Sequence, residues 1–240
     1  MFRFLINPSR FNKFSDIVFK PLILVASLIL IIGLILVYLS PLDYQQGLTV
    51  KIMYIHVPSA WLAILTYTIM TIYSVIGLAF KIPFSFTINK AVAPIGAVFT
   101  LLCIISGSMW GKPMWGTWWV WDARLTSVAI LLIVYLIIIF LDYTFKNIEV
   151  REKIIAIFIL IGSINLPIIK FSVDWWNTLH QPASVIKLDG PSIHVDMLIP
   201  LILMAFGFLF FYFSFLLINV QTELNHRKLK KLFIKKLNLK

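Results

Sequence analysis

Six runs of apolar residues dictate what this chain can become: about Leu22–Leu39, Ala60–Phe80, Ala91–Met109, Leu125–Leu141, Ile154–Phe171 and Leu198–Ile218. Each approaches the ~20 residues that a helix needs to cross roughly 30 Å of hydrocarbon. A backbone in lipid must satisfy its own N–H and C=O groups, and a helix does so within one segment. Composition agrees, with 60% hydrophobic and 13% charged residues against the ~25% charged of a soluble domain. The expected fold is all-α: a polytopic integral membrane protein of six transmembrane helices, forming a single domain over residues 1–240. The first run is too long for the apolar core of a cleavable signal, and no small-residue cleavage site follows Ser40-Pro41-Leu42-Asp43, so it is expected to remain as a span.

The net charge of +11 is distributed by loop and not gathered into a nucleic-acid-binding patch. Six spans put both termini on one side, which holds sixteen basic residues, seven of them in the tail from Arg227 to Lys240. The other side holds five: Lys51, Lys112, Arg124, Lys170 and Lys187. The positive-inside rule then makes both termini cytoplasmic and turns loops 40–59, 110–124 and 172–197 outward. The tail, residues 220–240, reads as a basic cytoplasmic topology signal. Leu224, Leu229, Leu232 and Phe233 would also give it an amphipathic helix for an anionic lipid surface.

Several function classes fall away. The lone Cys103 sits inside the third run, where it reads as a packing residue and offers neither a disulfide nor a redox pair. None of the apolar runs carries Asp, Glu, Lys, Arg or His in its interior, which disfavours ion-coupled transport. No phosphate-binding Gly-rich loop is present, so any ATP would be handled by another chain.

The unusual chemistry lies in the three outward loops. His56 stands just before the second helix, with Pro58 able to occupy that helix's first turn. His180, in Trp175-Trp176-Asn177-Thr178-Leu179-His180-Gln181-Pro182, stands before the sixth. Between them in sequence, the external Trp-rich loop 110–127 carries five of the chain's eight tryptophans: Trp110, Trp115, Trp118, Trp119 and Trp121. An interfacial aromatic belt is one reading of these indoles, and a ligand platform is the other. If residues 115–122 are helical, Trp115, Trp118, Trp119 and Asp122 form one stripe ending in a carboxylate. Gly111 and Gly116 would leave room for something broad to approach the backbone.

A porphyrin fits such a face. It stacks on indoles, and its iron accepts neutral imidazole nitrogen from either side. Its propionates need cations, for which Arg124 and Lys51 are nearest in sequence and Lys112 is a weaker third. Taken singly, Asp122 is equally a cap for the fourth helix, and Arg124 equally a side chain snorkelling from that helix end. His194 is a third external histidine. His56 and His180 are preferred because aromatic and hydrogen-bonding residues flank them.

The string Trp110-Gly-Lys-Pro-Met-Trp-Gly-Thr-Trp-Trp-Val-Trp-Asp-Ala-Arg-Leu-Thr-Ser127 closely resembles the "WWD" signature of haem-handling proteins of cytochrome c maturation. With His56 and the segment Trp175–Gln181, almost the whole chain resembles the haem exporter protein C family. Larger haem synthetases of that superfamily have more spans and usually continue from Trp-Asp into Pro, whereas Ala-Arg-Leu follows here. The resemblance implies that His56 and His180 are axial ligands of a non-covalent haem b and that the WWD loop holds the haem edge. It further implies that haem is presented, without catalysis, to a periplasmic haem chaperone. An ATP-binding cassette subunit, a second membrane subunit and a small membrane subunit would complete the complex. The expected location is a bacterial inner membrane, in preference to a mitochondrial one. A haem-conducting permease is the alternative. A cytochrome b is disfavoured because no paired histidines lie inside the spans. Pro182 departs from the glycine usual after His-Gln in the family, which bears on the loop holding His180.

Overall fold

The computed structural model describes residues 7–182, 184–185, 187 and 190–237. Arg3 and Lys240, counted above in the charge balance, lie outside the described residues. Seven α-helices account for nearly all of the described chain: α1 Pro8–Leu39, α2 Met53–Phe80, α3 Pro83–Trp115, α4 Ala123–Thr144, α5 Ile148–Gly162, α6 Asn165–Trp175 and α7 Val195–Leu237. No strand occurs among the described residues. With α5 and α6 taken together, six segments are long and apolar enough to cross a membrane, and the chain is a multi-pass membrane protein.

The helices overrun the apolar runs. Asn7 caps α1 by accepting from the Ser9 and Arg10 amides, with Pro8 at the first helical position, where its missing N–H costs nothing. A 3-10 turn at Leu48–Ile52 leads straight into α2. Helix α2 therefore begins five residues ahead of Pro58, and His56 lies inside its first turns and not before it. The helices also take in charged residues outside the runs, among them Lys90 and Lys112 of α3 and Asp142 of α4. Helix α7 absorbs the basic tail without a break as far as Leu237 and, at ~1.5 Å per residue, extends about 64 Å.

The fifth span, expected as one helix, is two. Pro167 has no N–H for the Ser163 carbonyl, which instead accepts from Leu166 at 3.0 Å. At the break Leu160 O gains a bond from Ser163 Oγ at 2.6 Å, and Asn165 Nδ2 donates across to Ser127 O of α4 at 2.8 Å. Such repair is what permits a broken helix at membrane depth. Gly162 leaves space for the Tyr67 hydroxyl, which donates to Ile159 O at 3.1 Å.

The main core lies between α2, α3, α4 and α7, around Tyr67, Met70, Val92, Tyr135 and Tyr212. Tyr67 and Tyr135 meet edge to face at 5.4 Å, and the Tyr135 hydroxyl donates to Ala63 O at 2.8 Å. Helix α1 packs chiefly on α7 through reciprocal notches. Gly33 admits Met204, and Gly207 admits Leu30, the close approach that small residues allow between membrane helices. At the end of the bundle where α3 begins, Lys90 bridges Asp142 and Glu223 at 3.1 and 3.0 Å. Arg151 joins Asp142 at 3.3 Å, and Arg227 joins Glu152 and Glu223 at 2.8 and 3.0 Å. Three cations and three carboxylates thus tie α3, α4, α5 and α7 together.

Candidate functional site

The opposite end of the bundle gathers His56, His180 and the tryptophans. His56 is buried against α3. Its Nδ1 lies 3.0 Å from the Cys103 carbonyl and 3.1 Å from Ser106 Oγ. Trp110 meets the ring edge to face at 5.7 Å, and Trp110 Nε1 donates to Gln46 Oε1 at 2.7 Å. Gln46 is itself held in a turn in which Asp43 Oδ1 accepts from the Gln45 and Gln46 amides at 2.9 and 2.8 Å. The loop after α1 therefore steadies the indole beside His56.

His180, more than 120 residues away in sequence, comes to the same place, its ring centre 6.4 Å from that of His56. Its Nδ1 lies 2.8 Å from the Gln181 carbonyl. Burial is the main cause holding its pKa below the ordinary imidazole value. The Gln181 carbonyl opposes that shift, the Arg124 charge reinforces it and Asp122 opposes it.

Arg124 is spent on the protein itself. Its Nε donates to Ser172 Oγ at 2.9 Å and a terminal nitrogen to Lys170 O at 3.2 Å, while the other terminal nitrogen lies 3.4 Å from His180 Nδ1. Lys51 donates to Tyr38 O at 2.7 Å and lies over the Tyr38 ring. Lys112 donates to Gly116 O at 2.8 Å and approaches the Trp118 ring. His194 is exposed beside Asp196 at the start of α7, apart from the histidine pair.

The Trp-rich segment differs from the helical stripe anticipated for it. Residues 110–115 are the last turns of α3, and 123–127 already belong to α4, so only 116–122 is loop. Gly116 ends α3 at φ 74°, its N–H bonded to Lys112 O at 3.0 Å, a glycine C-cap. Asp122 caps α4 by accepting the Leu125 amide at 2.8 Å. A cap at each end excludes a helix across 115–122, so Trp115, Trp118, Trp119 and Asp122 share no helical face. Nor does Gly111 make room for a ligand: the Trp115 indole folds back over it. Gly116 serves backbone conformation.

Within the loop, Trp119 packs edge to face on Trp121 at 5.6 Å. Trp118 and Trp121 are 58% and 81% exposed. Trp119 Nε1 and Asp122 Oδ2 are buried without a protein hydrogen-bond partner, which leaves one donor and one acceptor of this segment for water or a ligand. Among the described residues no group of three or more His, Cys, Asp and Glu could cage a metal ion. A pair of imidazoles supplies two axial positions only, which suits a metal that brings its own equatorial ligands.

The structure thus brings together His56, His180, Trp110, Asp122 and Arg124, with Trp115, Trp118, Trp119 and Trp121 along the rim, and ties Lys51 to the end of α1. Sequence reasoning did not single out Gln46, Ser106, Gly107 or Ser172. Their partners lie 48 to 64 residues away, or, for Gly107, on another helix. The only local signal is a Ser-Gly pair inside an apolar run.

Fold and site together define a class: helical multi-pass membrane proteins that offer two imidazoles and a rim of indoles at one end of the bundle. Residues 1–235 match the family described as heme exporter protein C. The heme exporter protein C of Bradyrhizobium diazoefficiens is 46% identical over 228 residues, 95% of this chain and 87% of the relative. That of Haemophilus influenzae is 46% identical over 198 residues, covering 82% and 80%. A mitochondrial protein of Marchantia polymorpha, named for cytochrome c biosynthesis, is 50% identical over 174 residues, covering 72% and 73%. The chain belongs to the heme exporter protein C family, haem-handling proteins of cytochrome c maturation.

Proposed function

We propose that this chain holds haem b non-covalently at the histidine end of the bundle, with His56 and His180 as axial ligands, and presents it to a periplasmic haem chaperone. One observation carries this reading: the two ring centres stand 6.4 Å apart. Two imidazoles sharing one iron from opposite sides stand roughly 6 Å apart, from two bonds of about 2 Å plus the offset to each ring centre. The orphaned Trp119 Nε1 and Asp122 Oδ2 supply a further donor and acceptor for the cargo or the docked partner. The exposed Trp118 and Trp121 leave an apolar rim that a chaperone can approach.

The basic residues concentrated on the side of the termini support a cytoplasmic location for both, with the histidine end outward from a bacterial inner membrane. An ATP-binding cassette subunit, a second membrane subunit and a small membrane subunit are the proposed partners.

Absorption spectra of the purified protein test the ligands. His56→Ala and His180→Ala should each abolish the bis-histidine haem spectrum, and a bound b-type spectrum unchanged by both substitutions would sink the assignment. Trp118→Ala should leave haem bound while blocking hand-over to the chaperone. Loss of haem delivery to the site itself would instead favour the permease.

A further inference from the structure

We infer that both imidazoles are set, before haem arrives, in the same Nδ1–H tautomer by two backbone carbonyls, so that each presents Nε2 as a free lone pair. Gly107 and Pro182 are the positioning residues of this arrangement. The inference rests on reading His56 and His180 as iron ligands.

A carbonyl oxygen only accepts hydrogen bonds. The Cys103 carbonyl, 3.0 Å from His56 Nδ1, therefore fixes the ring proton on that nitrogen. Ser106 Oγ, 3.1 Å from the same nitrogen, is compatible because its own hydrogen is directed to Leu102 O at 2.6 Å. The hydroxyl accepts, and the imidazole N–H is shared between two oxygens of α3. This seat exists only because residue 107 has no side chain. A Cβ there would come within 2.9 Å of His56 Cε1 and 3.3 Å of Nδ1, and the ring would have to leave the carbonyl it now reaches.

At His180, the Gln181 carbonyl lies 2.8 Å from Nδ1 and again requires Nδ1–H. The guanidinium nitrogen of Arg124, 3.4 Å from the same atom, can only donate and would require the opposite tautomer. The carbonyl contact is much the shorter, and Arg124 is anchored elsewhere by Ser172 and Lys170, so the carbonyl decides. Pro182 restricts the residue before it to extended conformations, which narrows the direction in which the Gln181 carbonyl points.

The partners' chemistry suits a carrier. Either a carboxylate or a carbonyl behind a ligating histidine orients the ring and raises its basicity, but the uncharged carbonyl polarises the N–H less and leaves the weaker iron donor of the two. The iron bonds are then pre-aimed yet breakable.

Nitrogen NMR of the full-length, haem-free protein in lipid nanodiscs, with 15N-labelled histidine and pH held above the imidazole range, tests this directly. His56→Ala and His180→Ala assign the signals. Both rings should show a protonated Nδ1 and a bare Nε2. Gly107→Ala should convert the His56 signal to the other tautomer or a mixture while His180 is unmoved, and Pro182→Gly should do the reverse. A protonated Nε2 on either ring of the unaltered protein overturns the inference, as does a His56 signal indifferent to Gly107→Ala. The haem spectra above keep the two failures apart. If they collapse in the histidine variants while the haem-free tautomers prove opposite, only this inference falls. If they are unchanged, the ligand reading falls first.

Discussion

At the scale of single residues, burial and partners decide which of the polar groups at the histidine end are available for chemistry. Arg124 looks in the sequence like a free cation for a propionate, yet its guanidinium joins α4 to α6 and to the His180 loop. His180 carries a pH consequence, because burial and Arg124 depress its pKa. Between the unfolded imidazole value of about 6.5 and the lower folded one, the unfolded chain binds the proton more readily. Acidification through that window therefore removes stability, and His180→Gln should flatten the response. Thermal unfolding of the haem-free protein between about pH 7.5 and 5 checks this: an identical pH dependence for both proteins would contradict it. The two histidines were legible in the sequence as chemistry-bearing residues. Ser106 and Gly107 were not, because their importance arises only when α2 lies against α3.

At the scale of elements, the apolar runs announced the six spans, but their ends were set by signals that hydropathy does not carry. Helix α2 starts through a 3-10 turn, which draws His56 into the helix. Gly116 and Asp122 cut the aromatic segment out of the helices on either side. Both residues were visible in the sequence. Asp122 already reads in the sequence as a cap for the fourth helix, which the Leu125 amide bears out; only the neighbouring backbone identifies Gly116 as a C-cap, and tryptophan spacing alone favoured a stripe. Gly116→Ala places a Cβ at φ 74° and should cost about 1–2 kcal/mol, seen as a lower unfolding midpoint. Gly116→Asn, which tolerates that conformation, should recover most of it. An alanine variant as stable as the original would argue against the cap.

At the scale of the whole molecule, an ionic cluster at one end and a histidine pair at the other divide stability from chemistry. Lys90 is the cation shared by Asp142 and Glu223, all three largely shielded from water. Lys90→Met should cost on the order of 2 kcal/mol, since it leaves carboxylates short of a partner in a partly desolvated site, and the haem spectrum should not move. A spectral change in this variant would mean the two ends are coupled. Counting charges on loops foretold which end would be basic; it could not foretell the pairing, which depends on α7 returning Glu223 and Arg227 beside α3 and α5. The interrupted fifth span lies between the two ends. Its lower half, α5, is bolted to the cluster through Arg151 and Glu152, while its upper half, α6, carries Ser172 and leads into the strand of chain that bears His180. Asn165 near the start of that upper half and Arg124 near its far end both rivet it to α4, so the seat of His180 takes its alignment from α4 and not from the cluster below.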